Sequence, residues 1–213
     1  MMNFTFKMVC SFVLLFFFLP SINAQDTIRL NNPSFEDVPK NSMSPKGWVD
    51  CGFDGETPPD VQPGGGFEVT KGAFHGKTYL GMVCRDNFTN EAVSQKLERE
   101  LYPEVCYKLS LRLCRSENYQ SLSKATNLPS NYIIPISAEI WLGKSPCGMG
   151  FLAGRTERVI HTDWQEYIFE FMPDDFYDHI LIIAGTEDDV QKGINGNLLF
   201  DDASEIVSFD CKN

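Results

Sequence analysis

The sequence predicts an all-β domain on three observations. Short stretches rich in β-branched and aromatic residues recur along the chain. Turn clusters separate them: Asn31-Asn32-Pro33, Thr57-Pro58-Pro59-Asp60, Pro63-Gly64-Gly65-Gly66, Pro129-Ser130-Asn131 and Asn195-Gly196-Asn197. Inside several stretches apolar side chains alternate with polar ones, the period of two that a half-buried strand needs. Many short strands punctuated by turns pack as a sandwich or a barrel.

The first residues read differently. Lys7 precedes an apolar run over residues 8–19, then Pro20 and a polar tail ending Ile22-Asn23-Ala24. A basic start, a short apolar core and a small residue before the cut describe a signal peptide over residues 1–24. The run is too short for a bilayer core of roughly 30 Å, which takes about 20 apolar residues. Residues 25–213 are then one exported domain, bound for the periplasm, the cell surface or the exterior, without membrane insertion.

Residues 79–84 form the first clear strand. Residues 90–101 could pass for a helix, but the alternation of Val93, Gln95 and Leu97 ahead of Pro103 fits an edge strand at least as well. Residues 107–114 give the best strand: Tyr107, Leu109, Leu111 and Leu113 face one way, Lys108, Ser110, Arg112 and Cys114 the other. A strand is expected over 133–141. In residues 165–171 the pattern recurs with Tyr167, Phe169 and Phe171 inward. Residues 179–184 are apolar after the first, as in a central strand buried on both faces. Residues 197–206 complete the set. Three long segments, 50–66, 116–131 and 143–152, carry or flank cysteines and are expected to be ordered.

Composition narrows the partners. The formal charge of −11 argues against nucleic acid, whose phosphates demand a basic face, and against an anionic membrane surface. Of 7 cysteines, Cys10 falls in the apolar run, leaving Cys51, Cys84, Cys106, Cys114, Cys147 and Cys211. An even set in an exported chain implies disulfides, whose pairing the sequence does not choose. Cys106 and Cys114 lie on one extended strand, too far apart to pair. Zinc would want close C-x-x-C or His pairs, and the 3 histidines are scattered. No G-x-S-x-G elbow, phosphate loop or motif-marked carboxylate pair points to catalysis.

The ordered series of motifs resembles bacterial carbohydrate-binding modules of the galactose-binding-like jelly-roll type. It runs Asn32-Pro33-Ser34-Phe35-Glu36-Asp37, Gly47-Trp48, Gly76-Lys77-Thr78-Tyr79-Leu80-Gly81 and Val93-Ser94-Gln95-Lys96-Leu97. Cys106-Tyr107-Lys108-Leu109-Ser110, Trp164-Gln165-Glu166-Tyr167-Ile168-Phe169 and Leu199-Phe200-Asp201-Asp202-Ala203-Ser204 complete it. The resemblance implies a two-sheet antiparallel jelly-roll β-sandwich with long connecting loops and its terminal strands side by side. It implies Trp48 and Trp164 in the core. It also implies a structural calcium held by Glu36 and Asp201, completed by carbonyls around Gly76 and Lys77.

A sugar site needs an aromatic ring for C–H faces and planar hydrogen-bonding groups for hydroxyls. Arg85-Asp86-Asn87 is the densest such cluster, directly after a strand. Arg115 and Tyr119 follow another strand end, Asp60 sits in the proline loop, and Trp141 ends a strand. The expected function is non-catalytic binding of an oligo- or polysaccharide. The alternative is a cell-surface or export-complex structural or interaction protein that uses the same sandwich to bind a protein partner such as a cell-surface protein; a glycoside-active enzyme ranks behind both.

Overall fold

The computed structural model describes residues 26–211, so the expected signal peptide lies outside the described residues. Fifteen strands follow in order. They are β1 (Thr27–Ile28), β2 (Val49–Asp50), β3 (Asp60–Gln62), β4 (Tyr79–Arg85), β5 (Thr89–Asn90), β6 (Ala92–Leu101), β7 (Cys106–Cys114) and β8 (Gln120–Leu122). Then come β9 (Pro129–Asn131), β10 (Ala138–Gly143), β11 (Phe151–Arg155), β12 (Gln165–Phe171), β13 (Tyr177–Ala184), β14 (Gly196–Asp201) and β15 (Ile206–Phe209). One short helix, α1 (Glu187–Gln191), is capped by Thr186.

Two antiparallel sheets face each other. The larger runs β1-β15-β7-β14-β4-β3, with β12 on β7 and β5 on β4; the smaller runs β11-β10-β13-β6-β2. A separate hairpin pairs β8 with β9. The terminal strands are neighbours, Thr27 opposite Val207 and Ile28 opposite Ile206. Alternation built this arrangement. In β7, Tyr107, Leu109, Leu111 and Leu113 are buried between the sheets, as are Phe169 and Phe171 of β12 and Ile180 and Ile182 of β13. Trp48 joins the same core against Phe35, ring centroids 5.0 Å apart.

The outer face of the larger sheet is also covered. Tyr79, Val83, Cys114, Leu199, Tyr119 and Tyr132 form a second cluster there, roofed by the long loops. Trp164 packs on this cluster, half-buried and edge-on to Tyr79, rather than in the main core. The reason is position: it precedes β12 on the outer side.

Three expected strands are corrected. β6 is not simply an edge, because β13 pairs along it and β2 covers Val93 and Ser94. The strand expected over 133–141 begins only at Ala138, leaving Ile133 and Ile134 41% exposed in a loop around Pro135. The strand expected over 197–206 breaks at Asp202, whose φ of 47° leaves extended geometry, giving β14 and β15.

Cys51 pairs with Cys147 and Cys106 with Cys211, while Cys84 and Cys114 stay free and buried. The first bridge staples two of the long loops; the second fastens the end of the described chain to β7. Among the described residues no helix is long and apolar enough to cross a membrane.

Candidate functional site

A cavity of about 510 Å³ opens on the outer face of the larger sheet. Its floor is Asp60 of β3, Val83 and Arg85 of β4, and Glu91 at the turn into β6. The β8–β9 hairpin overhangs it with Gln120, Ser121, Leu122, Lys124 and Pro129, and Tyr119 and Tyr132 flank it. Thr57 and the turn at Gly65–Phe67 supply the opposite rim.

The floor is a buried polar network. Tyr119 donates its hydroxyl to Asp60 Oδ2, and the Ser42 amide donates to Asp60 Oδ1. Arg85 Nη2 pairs with Glu91 Oε1 and donates to Thr57 O at 3.1 Å and Thr57 Oγ1 at 3.0 Å. Glu91 Oε2 accepts the Val83 amide at 3.0 Å. Arg85 Nε lies 3.6 Å from Glu56 Oε2. Arg85 Nη1 has no partner although Arg85 is only 3% exposed. Such an orphaned donor beside a cavity awaits an acceptor.

Desolvation pushes the Asp60 and Glu91 carboxyls up, against the pull of Tyr119 on Asp60 and of Arg85 on Glu91. Burial likewise raises Asp201 to about 6 from 3.8, against the pull of three backbone amides. Raised carboxyls hold their protons more tightly in the folded state than in the unfolded one. They therefore cost stability as pH climbs from the unfolded pKa through the folded pKa. Asp37 and Asp189 are lowered and act oppositely at the acid end. The melting temperature should peak near pH 4, close to the unfolded carboxyl pKa of 3.8 from which Asp201 is raised to about 6, and decline towards pH 7.5. A calorimetric scan that rises steadily to pH 7.5 would contradict this.

The cavity gathers three of the residues expected from sequence: Asp60, Arg85 and Tyr119. Arg85 needs correction in one respect. Expected directly after a strand, it is the last residue of β4 and is buried between two acids. Asp86 and Asn87 sit behind the wall. Asp86 accepts Ser123 Oγ at 2.6 Å and the Lys124 and Ala125 amides at 2.9 and 3.1 Å, anchoring the hairpin. Asn87 donates to Glu56 Oε1 at 2.6 Å. Arg115 lines a separate polar hollow with Lys71 and Asp163. Trp141 lies on the outer face of the other sheet, half-buried against Leu181 and Ile183, its Nε1 donating to Glu139 at 2.8 Å. Glu91, Tyr132, Gln120 and Lys124 were missed. Only the unusual placing of Glu91 directly before an apolar strand could have marked one of them.

Glu36 and Asp201 meet the same loop. Glu36 Oε1 accepts the Lys77 and Thr78 amides at 2.8 and 3.2 Å, and Asp201 Oδ2 accepts those of Phe74 and His75 at 2.8 and 3.0 Å. Gly76 is required there: its φ is +68° and a Cβ would stand 2.0 Å from Glu36 Oε1. Calcium takes six to eight oxygens, and here the loop presents N–H groups where carbonyls were expected. Among the described residues no group of three or more His, Cys, Asp or Glu could hold a metal ion. As arranged, this set does not fit calcium; an ion would require the loop to turn its carbonyls inward.

No family model matches the chain, and no curated protein sequence does. Solved structures match in fold. The K3 cleaved adhesin domain of Lys-gingipain from Porphyromonas gingivalis w83 is similar over 86% of this chain and 99% of that one, at 12% identity and a TM-score of 0.53. The CBM22-1 xylan-binding domain from Paenibacillus barcinonensis Xyn10C is similar over 89% and 98%, at 12% identity and a TM-score of 0.50. The chain thus has the jelly-roll sandwich fold of carbohydrate-binding modules and cleaved adhesin domains.

Proposed function

We propose that this chain is an exported, non-catalytic carbohydrate-binding protein whose saccharide enters the cavity beneath the β8–β9 hairpin. One observation carries the reading: Asp60, Arg85 and Tyr119, from three separate segments, converge on the floor of a roomy cavity. Buried ionisable groups beside a cavity mark binding sites. Carboxylate, guanidinium and amide groups suit sugar hydroxyls, and Leu122, Pro129 and Tyr132 supply apolar surface. Glu91 is committed to Arg85 and the Val83 amide. It does not offer the free second carboxylate that glycoside hydrolysis requires. Two disulfides suit an oxidising compartment, in keeping with export.

A glycan-array screen of the protein tests this. With the best ligand, Gln120→Ala and Lys124→Ala should each weaken binding about three- to tenfold, the loss of one hydrogen bond. Trp141→Ala and Arg115→Ala should leave it unchanged; the reverse pattern would move the site to their faces. Calcium at Glu36 and Asp201 is tested alongside: a melting temperature that rises with calcium and falls with chelator would place the ion there. The second reading, a protein partner, is favoured by Leu122 and Leu128, 52% and 64% exposed on the hairpin. A screen that retains no glycan would favour it.

A further inference from the structure

Resting on the carbohydrate reading, we infer that the cavity takes the end of a saccharide chain or a short oligosaccharide, not an internal stretch of polymer. The reason is what stands across the sheet on either side of it. A polymer lying over a sheet needs a trough open at both ends. Here the segment carrying the hairpin is tied down to the facing loops in two places.

At one place Phe67 stacks on Tyr119, ring centroids 5.4 Å apart, and Asn118 Nδ2 donates to Glu68 Oε2 at 3.0 Å. Both Phe67 and Tyr119 line the cavity, so the stack is part of its wall. Beyond it lies the separate hollow of Lys71, Arg115 and Asn118. At the other place Lys124 Nζ, also a lining residue, pairs with Glu56 Oε2 at 2.9 Å. Asn87 holds Glu56 from behind, and Asp86 holds the backbone of Lys124. The hairpin itself is fastened by Tyr132, whose hydroxyl donates to Leu122 O at 2.7 Å, and by Asn195 on Ser130 at 3.2 Å. These ties make a fixed roof over the floor.

Volume agrees with the walls. At about 510 Å³ the cavity falls among pockets that enclose drug-sized ligands, roughly 300–1,000 Å³. That is room for a di- or trisaccharide. The floor also suits a chain terminus, which carries hydroxyls that an internal residue spends on linkages. Arg85 Nη1, in that floor, is a donor without an acceptor.

The test uses xylo-, cello-, laminari- and manno-oligosaccharides from three to six rings, with their parent polysaccharides before and after limited acid hydrolysis. Isothermal titration should give equal affinity for the trisaccharide and hexasaccharide of the recognised series. Sites per gram of polysaccharide should rise in proportion to chain ends as hydrolysis proceeds. An affinity that climbs about tenfold or more from three rings to six, with sites per gram independent of chain length, would overturn the inference while leaving carbohydrate binding intact. Failure to bind any probe, with the glycan array also blank, would overturn both.

Discussion

Replacing Arg85 with methionine is expected to destabilise the fold by about 3–5 kcal/mol, the cost of stripping one partner from a buried ion pair. Arg85 and Glu91 are 3% and 2% exposed, and the guanidinium also faces Glu56. Without it, two acids remain in a poorly solvated floor. Glu91 then takes a proton more readily than it already does, since burial raises its carboxyl even with Arg85 present. Protonation removes the uncompensated charge. The defect should therefore be larger at pH 7.5 than at pH 5 in chemical denaturation. Adding Glu91→Gln keeps an acceptor for the Val83 amide, bonded at 3.0 Å in the parent chain, and should recover most of the loss. A single variant within about 0.5 kcal/mol of the parent, the size of an ordinary surface effect, would mean that the pair is not closed off from water.

The second large effect lies in the disulfides. Cys106–Cys211 spans 105 residues and Cys51–Cys147 spans 96. Cross-links over loops of this length restrict the unfolded chain, and removing either pair by serine substitution should cost about 2–5 kcal/mol. The two variants should differ in kind. Loss of Cys106–Cys211 frees the chain end that follows β15 beside β7. Loss of Cys51–Cys147 releases the loops that pack near Leu181 and Ile183. Thiol counting provides an independent check. Burial raises the Cys114 thiol to about 12 and pushes Cys84 up further, so neither is poised to react. Of the six cysteines past Ala24, none should be alkylated in the native protein and two after denaturation without reductant. Four or more reactive thiols after denaturation would rule out the two-bridge arrangement.

Particular residues show how much was legible in advance. Tyr107, Leu109, Leu111 and Leu113 alternate with polar residues over one strand, and that local period placed β7 and its inward face correctly. The same period placed Phe169 and Phe171. Where the chain leaves a sheet, local pattern carries less: Asp202 looks like a continuation of β14, but the turn follows from contacts to Pro33 and Ser110, at 3.0 and 2.8 Å, that are remote in sequence. The site followed the same rule. Residue type suggested Asp60, Arg85 and Tyr119 as groups able to hold a sugar, without indicating that they would meet.

The sequence by itself determined the all-β class, the inward faces of the main strands and a short list of polar and aromatic side chains suited to a ligand. Each depends on near neighbours in the chain, where a period of two or a residue's chemistry is enough. Only the tertiary structure decided that Arg85 is buried, that Asp86 anchors a roof, and that Trp141 and Arg115 stand apart from the cavity. Burial and charge pairing depend on which distant segment arrives. Glu56 and Glu91 reach Arg85 from loops on either side of it, and Tyr119 reaches Asp60 across 59 positions of chain. Such meetings are set by sheet pairing and loop packing, whose energy is shared among many contacts and is written in no single stretch of residues.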